Sequence, residues 1–386
     1  MSSERLERLT RSLDSYAARD ELPGGVVMIG RHGRIAYLHS FGWLDREAGI
    51  AMREDAIFRI ASQTKAIIAI GILILLEQGR LLLSDPVEKF LPEFARTSVA
   101  VPGEGAVAYE IVPRERPITI RDLLTHTAGL GYGGGPAADA WKAAGIAGWY
   151  FGDRDEPILA TVSRMARLPF DAQPGERWIY GYSYDVLGAV IEQASGQELD
   201  RFLEQHVFDP LRMHDTHFYL PSSKVDRLAT VYSSSEGGGL ERAAGTSSIG
   251  QGHYVDGPRR SFSGGSGLLS TVHDYGRLYQ MLLNGGELEG TRILSPKTVE
   301  LMTVDHVQQD RNGQGFGLGF YVVEDLGARG TLGSVGEFGW GGAYNTTGWA
   351  DPQEDLFVVY MTQIIPKGDV DDLQKVRSLV YQAVMR

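Results

Sequence analysis

The stretch FRIASQTKAIIAIGILILLEQGR, residues 58–80, decides how the rest of the chain is interpreted. Its central residues are apolar nearly all round a helix, which is typical of a buried central helix rather than a surface one. We therefore predict a helix from about Gln63 to Gln78, with Gly79 able to end it. The apolar run is much shorter than the roughly 20 residues that a membrane-spanning helix needs.

Two polar side chains, Ser62 and Lys65, stand at the N-terminal end of this helix. Residues three apart share a helix face, so the hydroxyl and the amine can meet. The free N–H groups of a helix N-terminus favour negative charge that develops there. A serine is a weak nucleophile until a base takes its proton, and a desolvated lysine can be that base. The alternative for Ser-x-x-Lys alone is a capping serine followed by a surface lysine.

The composition limits the classes of function. The chain has 386 residues, 43% of them apolar and 22% charged, as in ordinary globular proteins. A net charge of −12 disfavours a nucleic-acid binder, which needs a basic face. The absence of cysteine excludes disulfides, thiol catalysis and thiolate metal sites. The first residues show no apolar signal segment, so we expect a soluble, cytoplasmic protein without nucleic-acid or membrane partners.

Strand patterns lie at both ends of the chain, with helices and loops between them. An amphipathic helix is predicted over 4–18, followed by strands over 24–33 and 34–45. A final helix is predicted over 371–385. The strand-like stretches before it cover 315–323, 333–342, 344–352 and 355–363. One sheet assembled from both termini, with an inserted helical region, accounts for this order.

Five short motifs follow one another along the chain. They are ASQTK at 61–65, LLTHTAGL at 123–130, PGERWIYGYSYDVLGAVIEQASG at 174–196, FSGGSGLLSTVHDYGRL at 262–278 and FGWGGAYNTTGWADP at 338–352. Together they resemble the serine β-lactamases and penicillin-binding proteins, in particular the class C β-lactamase-like group. The third and fifth motifs are most similar to those of family VIII carboxylesterases. Several motifs in one order are far more specific than Ser-x-x-Lys alone.

The resemblance covers residues from about 20 to 385 and implies a fold of the α/β (α+β) class. An antiparallel sheet built from both termini would be flanked by helices, as in penicillin-binding proteins. The implied division places one discontinuous α/β domain on 1–80 and 262–386 and a mostly helical domain on 81–261. The active site would lie between them.

The resemblance also implies which side chains carry the chemistry. Ser62 would be the nucleophile, and Lys65 and Tyr180 would move its proton. In the esterases this tyrosine lies five residues before an Asp-Val-Leu-Gly stretch, here residues 185–188, which favours Tyr180 over its neighbour Tyr182. A phenol with a pKa of about 10 is a poor base alone, but a lysine ammonium beside it favours the phenolate.

A backbone oxyanion hole and a substrate pocket follow from the same resemblance. The N–H groups of Ser62 and Ala343 would form the oxyanion hole, so side-chain identity at Ala343 would matter little. The esterase form of the last motif is Trp-Gly-Gly. The residues expected to bind substrate are Tyr182, Trp340, Gly341 and Gly342.

Two departures from the β-lactamase pattern favour esters over β-lactams. Tyr182 stands where those enzymes have the asparagine of Tyr-x-Asn, and Trp340 replaces the lysine of Lys-Thr-Gly. A tryptophan offers an apolar face instead of a cation for a substrate carboxylate. We therefore predict a serine carboxylesterase for short-chain apolar esters, with at most weak β-lactamase activity. No cofactor is expected, because the proton transfers need only side chains.

Two other functions stay open from the sequence. An acyltransferase, or an amidase acting on D-amino-acid or peptide amides, would share the acyl-enzyme. A catalytically silent binding protein would need none of the three side chains. The α/β-hydrolase signature G-x-S-x-G is absent. The oligomeric state and the conformations of the loops near 130–155 and 233–255 do not follow from the sequence.

Histidines and aromatic residues outside the motifs are given structural roles. The pair His214 and His217 has H-x-x-H spacing without further ligands, so no metal is expected. His126 is expected to support the fold near the site. Four aromatic residues should line an acyl pocket or lid, or equally pack in the core: Trp141, Trp149, Tyr150 and Phe151.

Overall fold

The computed structural model describes residues 1–103, 109–235, 239–245, 249–308 and 312–385. Its α-helices are α1 (Ser3–Ala18), α2 (Thr64–Glu77), α3 (Ile120–Leu124), α4 (Ala138–Ala143), α5 (Ile158–Met165), α6 (Ser183–Ser195), α7 (Leu199–Leu203), α8 (Asp209–Leu211), α9 (Val272–Leu283), α10 (Pro296–Met302), α11 (Leu326–Arg329) and α12 (Asp372–Tyr381). Short 3-10 helices cover Ala61–Gln63, Val87–Lys89, Pro92–Arg96 and Ser222–Arg227, and a π-helical turn covers Glu204–Phe208.

Strands from both termini form one antiparallel sheet. The strands are β1 (Gly24–Arg31), β2 (Arg34–Asp45), β3 (Ile50–Ala51), β4 (Phe58–Arg59), β5 (Ser98–Pro102), β6 (Tyr109–Pro113), β7 (Tyr232–Ser234), β8 (Leu240–Arg242), β9 (Leu269–Ser270), β10 (Glu287–Leu288), β11 (Thr291–Arg292), β12 (Gln314–Phe316), β13 (Tyr321–Val323), β14 (Phe338–Gly342), β15 (Thr346–Asp351) and β16 (Leu356–Thr362). Eight of them make the large sheet in the order β12-β13-β14-β15-β16-β1-β2-β3, and the others form two-stranded pairs. The predicted sheet from both termini is confirmed.

The two ends of the chain join where β1 pairs with β16. Val27 lies opposite Tyr360 in this register. Val26 and Met28 pack into the core that contains α2 and α9, whereas Val27 and Ile29 pack against α1 and α12. Because helices cover both faces, every residue of β1 is buried, and its side chains from Val26 to Ile29 are all apolar, without alternation.

The central helix is confirmed. Every residue of α2 from Thr64 to Leu75 is buried. Gly71 permits close packing on α6, because a Cβ at this position would lie 2.9 Å from Ile191 Cδ1. The helix therefore contacts protein on all sides, as its uniform apolarity predicts.

One predicted strand is wrong in detail. The stretch 315–323 forms two strands, β12 and β13, joined by a tight turn in which the Gly317 N–H donates to the Phe320 carbonyl at 2.8 Å. Gly319 adopts a φ of +96°, a conformation open mainly to glycine. Gly317 and Gly319 thus lie in the turn that divides the predicted strand in two.

Other elements agree with the sequence. Helix α6 ends at Ser195 with Gly196 as its C-cap, and Thr119 and Asp122 form the capping box of α3. None of the described helices is long and apolar enough to cross a membrane. The division into two domains and the cytoplasmic location stay predictions.

The burial of α2 predicts a large effect of truncation inside it. Leu73 is fully buried, whereas Leu82 is 56% exposed just beyond the helix. We expect Leu73→Ala to lower the free energy of unfolding by about 2–5 kcal/mol, because a cavity replaces packed atoms. The matched change Leu82→Ala should cost less than about 0.5 kcal/mol. Chemical denaturation of the two variants measures the difference, and equal losses would contradict the central position of α2.

Candidate active site

The nucleophile candidate Ser62 lies on a strained turn that leads into α2. The 3-10 helix Ala61–Gln63 precedes the α-helix, and Ala61 has a φ of +40°. A non-glycine residue rarely adopts this region, and such strain is concentrated at functional sites. The turn is also held by close backbone contact, because a Cβ at Gly342 would lie 2.3 Å from the Ile60 carbonyl oxygen. Strand β14 therefore passes directly beside the start of α2.

Lys65 is the buried hydrogen-bonding centre of the site. Its side chain is only 1% exposed. Its Nζ lies 3.3 Å from Ser62 Oγ, 3.3 Å from the Tyr132 hydroxyl and 2.7 Å from the Gly265 carbonyl oxygen. These three partners match the three hydrogens of an ammonium. The i, i+3 meeting of Ser62 and Lys65 predicted from the helix is present.

Tyr132 is a member of this site that the sequence reasoning missed. It follows α3 in a glycine-rich loop, and its hydroxyl accepts a hydrogen bond from Lys65. Burial raises the pKa of Tyr132 well above its usual value, and the neighbouring Tyr180 and Asp185 raise it further. The phenol therefore stays protonated at neutral pH. The only signal in the sequence was a tyrosine flanked by glycines in the stretch 131–135.

Tyr180 is a second tyrosine beside the lysine, and its ring centroid lies 5.7 Å from that of Tyr132. The Lys65 Nζ is 4.6 Å from the centroid of the Tyr180 ring, a cation–π geometry. The Tyr180 hydroxyl accepts a hydrogen bond from Trp340 Nε1 at 3.3 Å. Both Tyr180 and Ser62 line the same cleft. The structure thus brings Ser62 and Tyr180 to the same cleft, and Trp340 is a direct neighbour of Tyr180.

Tyr182 is placed differently from the other predicted residues. Its side chain is fully buried, and its ring stacks on Trp141 with 5.7 Å between centroids. Its hydroxyl donates to the carbonyl of Gly148 at 2.6 Å. Burial raises the pKa of Tyr182 well above the usual value. The structure therefore places Tyr182 in the core, outside the residues that line the cleft with Ser62.

A buried carboxylate, Asp185, stands behind the lysine. Its Oδ1 accepts hydrogen bonds from the Ser263 hydroxyl at 2.6 Å and from the Gly265 N–H at 3.1 Å. The same Gly265 presents its carbonyl to Lys65. Burial raises the pKa of Asp185, while the Ser263 hydroxyl and the charge of Lys65 oppose this rise. Asp185 thus fixes the turn that binds Lys65 and adds a negative charge near it.

The cleft has a volume of about 590 Å³. It contains the remaining predicted site residues, because the whole Trp340-Gly341-Gly342 motif and Ala343 line it beside Ser62. Its described lining residues are Ser62, Tyr180, Tyr321, Trp340, Gly341, Gly342, Ala343, Asn345, Thr346, Thr347, Lys367 and Leu373. The two residues whose N–H groups are expected to form the oxyanion hole, Ser62 and Ala343, therefore border the same cleft.

The aromatic residues near 141–151 mostly pack in the core. Trp141 and Phe151 are buried, and Trp141 Nε1 donates to the Pro169 carbonyl at 2.9 Å. The Tyr150 hydroxyl accepts from the His253 N–H at 2.7 Å. Trp149 is partly exposed and packs against Tyr344. In the predicted loop 233–255, residues 236–238 and 246–248 lie outside the described part of the chain.

The histidines take structural positions. His126 is fully buried, and its ring centroid lies 4.6 Å from that of Tyr180. Burial lowers the pKa of His217 to about 4, and its Nε2 lies 3.0 Å from Lys224 Nζ. Within the described ranges, no group of three or more potential metal ligands is found. Because the His126 ring lies against the Tyr180 ring, His126 supports Tyr180 by packing.

This arrangement can perform acyl transfer through serine. In its neutral form Lys65 can accept the Ser62 proton while it donates to Gly265 and Tyr132. Tyr180 and Trp340 border the space into which a substrate carbonyl would enter. Ser62 and Tyr180 thus line one cleft, and the buried Lys65 contacts both of them.

Known proteins are similar to this chain over nearly its whole length. Residues 9–381 match the family model described as Beta-lactamase. Esterase EstB of Burkholderia gladioli is 33% identical over 382 residues, covering 94% of this chain and 91% of EstB. Protein Rv1367c of Mycobacterium tuberculosis is 34% identical over 367 residues, covering 91% and 88%. The structure of EstCE1, a hydrolase with promiscuous acyltransferase activity, aligns with a TM-score of 0.83 at 30% identity, covering 98% and 99%.

The buried carboxylate predicts opposite effects on stability and activity. Because its pKa is raised in the folded chain, ionisation of Asp185 lowers stability as the pH rises above the usual carboxyl range near 3.8. Asp185→Asn keeps an oxygen for both hydrogen bonds and removes the charge. We expect its melting temperature to equal or exceed that of the parent at pH 8, with the gap closing toward pH 4. Its kcat/KM on a p-nitrophenyl ester should fall roughly tenfold or more, because the anion that attracts Lys65 is lost.

Asp185→Ala is the matched comparison, because it removes the acceptor as well as the charge. Its melting temperature should fall at every pH, since the Ser263 hydroxyl and the Gly265 N–H lose their partner. Thermal melts between pH 4 and pH 9 and ester assays distinguish the variants. Full activity in Asp185→Asn would restrict the carboxylate to a structural role.

Proposed function

The chain belongs to the β-lactamase family and is a serine hydrolase, and from this premise we propose that it is a carboxylesterase of the family VIII type. We infer short-chain apolar esters as its substrates and an acyl-enzyme on Ser62 as its intermediate. EstB, named as an esterase, supports an ester as the substrate.

The observation that carries the proposal is the contact between Lys65 and Ser62. Their Nζ and Oγ atoms are 3.3 Å apart, and the lysine is almost completely buried. A surface lysine beside a capping serine would be solvated and free to move. Here two further segments, through Tyr132 and Gly265, hold the amine against the hydroxyl, which supports nucleophile activation over the capping alternative.

The proposed first step is the attack of Ser62 Oγ on the ester carbonyl carbon. As the new C–O bond forms, the serine proton passes to the site formed by Lys65 and Tyr180. Collapse of the tetrahedral intermediate breaks the bond to the leaving alkoxide, which takes up that proton. Water then attacks the acyl-enzyme by the same route in reverse and releases the acid and Ser62.

We assign different tasks to the two tyrosines. Tyr180 borders the cleft and its ring lies beside Lys65, so its hydroxyl is the group that we propose to pass a proton to the leaving group. The pKa of Tyr132 is raised well above the usual value by burial, which disfavours a proton-accepting role. Tyr132 is therefore proposed to orient Lys65, and Tyr180 to transfer the proton.

The oxyanion of the intermediate would be stabilised by the N–H groups of Ser62 and Ala343. Both residues line the cleft. Gly342 is needed for this, because a side chain there would collide with the carbonyl of Ile60. One such donor is typically worth about 3 kcal/mol in the transition state.

The preference for esters over β-lactams is inferred from two positions. Trp340 lines the cleft where a lysine would supply a cation in β-lactamases. Tyr182, at the position of their asparagine, is buried against Trp141 and offers no amide to a lactam side chain. An apolar acyl or alkoxy group against Trp340 is therefore favoured.

The catalytic assignment predicts graded losses with p-nitrophenyl butyrate. We expect Ser62→Ala to abolish turnover, because no acyl-enzyme can form. Lys65→Ala and Tyr180→Phe should each reduce kcat by about 10²–10⁴, the usual range for general acid–base groups. Release of p-nitrophenol measures all three.

Ser15→Ala in α1 is the control for a hydroxyl outside the cleft, because the Ser15 hydroxyl donates to the carbonyl of Ser12 within its own helix. It should retain the parent rate. Labelling with a fluorophosphonate probe should require Ser62. Turnover that survives Ser62→Ala would overturn the nucleophile, and a protein that neither labels nor turns over would be a silent binder.

A second candidate activity is acyl transfer to alcohols. The relative EstCE1, at 30% identity, is a hydrolase with promiscuous acyltransferase activity. Because the same acyl-enzyme serves both reactions, we expect 1-butanol to divert part of the butyryl group to butyl butyrate. Gas chromatography of the products measures the partition. Butyric acid as the sole product at high butanol concentration would restrict the protein to hydrolysis.

A further inference from the structure

The charge of the cleft beside Ser62 comes from a single side chain. Among the described residues that line this cleft, Lys367 is the only charged one, and none is a carboxylate. Lys367 belongs to the segment between β16 and α12. It therefore reaches the cleft from a different element than Trp340 on β14.

Lys367 is anchored by an aspartate behind it. Its Nζ lies 3.4 Å from Asp372 Oδ1; the aspartate side chain is fully buried, whereas that of the lysine is 33% exposed. The other carboxylate oxygen, Oδ2, accepts from Asn345 Nδ2 at 2.8 Å and from the Tyr360 hydroxyl at 2.9 Å. Because the anion is buried and the cation borders the cleft, the positive end of the pair faces the cleft.

The contact with Asp372 leaves the Lys367 ammonium with N–H groups that can form further hydrogen bonds. Charge-assisted N–H···O bonds usually measure about 2.7–2.9 Å, shorter than the 3.4 Å found here. Asp372 is meanwhile satisfied at Oδ2 by two neutral donors. An ammonium has three N–H groups, so Lys367 can donate to a further acceptor in the cleft.

A neighbouring depression continues the positive character of the cleft. The residues that the two share are Tyr321, Thr347 and Leu373. The charged residues of the depression are Arg329 and Arg377, which both bind Glu337. Two guanidinium groups thus face one buried carboxylate. Along the described lining of both spaces, the charged side chains are all cations.

We propose that Lys367 determines substrate specificity by binding a carboxylate of the substrate, so that the preferred esters combine a short apolar part with one free carboxylate. The proposal deepens the ester hydrolysis proposed above and rests on it. The apolar part of the ester would contact Trp340, and the carboxylate would bind Lys367. A partly buried cation is less screened by solvent and salt than a surface one, so the contact can discriminate between charged and neutral esters.

The experiment compares each carboxylate ester with its neutral methyl ester. One pair carries the charge on the acyl side: mono-p-nitrophenyl glutarate and its methyl ester. The other carries it on the leaving group: 4-acetoxybenzoate and methyl 4-acetoxybenzoate. The quantity measured is the ratio of kcat/KM within each pair, for the parent, Lys367→Gln and Lys367→Arg. Lys297→Gln, at an 85% exposed lysine outside the cleft, is the matched control.

We expect the parent to prefer the carboxylate in at least one pair. Lys367→Gln should lower that ratio about tenfold, mainly through KM, as expected for loss of a hydrogen bond between charged groups. Lys367→Arg should restore most of it, Lys297→Gln should keep the parent ratio, and added NaCl should reduce it. A parent ratio that favours the methyl ester in both pairs, or one that Lys367→Gln leaves unchanged, would overturn the proposal while ester hydrolysis stands.

A second readout does not depend on turnover. Calorimetry compares the binding of 3-carboxyphenylboronic acid and phenylboronic acid, which differ only in the carboxylate. Tighter binding of the carboxylated compound by the parent but not by Lys367→Gln supports the proposal, even where no ester is hydrolysed and the esterase function fails. Equal affinities of the parent for both compounds would overturn it.

Discussion

The burial of the Lys65 amine is the constraint on which the rest of the site depends. A buried amine without partners costs several kcal/mol, so its hydrogen bonds have to be supplied wherever the helix is packed. The partners come from three parts of the chain: Ser62 before the helix, Tyr132 after α3, and Gly265 before α9. Correct packing of α2 and assembly of the nucleophile are therefore the same event.

The local structure around Ser62 raises the free energy of the folded state, and the packing of the core offsets this increase. The positive φ of Ala61 belongs to conformations that cost about 1–3 kcal/mol. The burial of Asp185 adds to this, as the direction of its pKa shift indicates. Each fully buried aliphatic side chain of α2 contributes roughly 1.5–3 kcal/mol in return. A long apolar helix directly behind the nucleophile is thus what allows strain and charge to persist at its first turn.

A contact of the site could be predicted from the sequence when its two residues lie close together along the chain. Ser62 and Lys65 are three residues apart, so helix geometry alone brings them together. Tyr180 needed the resemblance to known motifs, because it arrives from a segment more than a hundred residues away. Tyr132 and Asp185 were missed, since only tertiary packing shows that the loop after α3 and the first turn of α6 meet at Lys65.

The same reasoning explains Tyr182. A residue two positions from Tyr180 was expected to face substrate because the motif places an asparagine there. In this chain Tyr182 precedes the first residue of α6, and its ring stacks on Trp141 inside the core. A large aromatic ring finds more apolar contact there than in the cleft, and burial decides its direction.

Different parts of the chain supply the nucleophile and the opposite wall of the cleft. The amine, the hydroxyl and their partners belong to α2 and the segments that pack on it. The wall opposite comes from β14 and from the segment after β16. The two halves meet closely at Gly342, where backbone contacts backbone and side-chain identity is fixed by lack of space. In the described part of the chain, the side chains of Trp340 and Lys367 bond to Tyr180 and Asp372 rather than to Lys65. The chemistry can therefore stay constant while substitutions on the C-terminal wall change which esters enter.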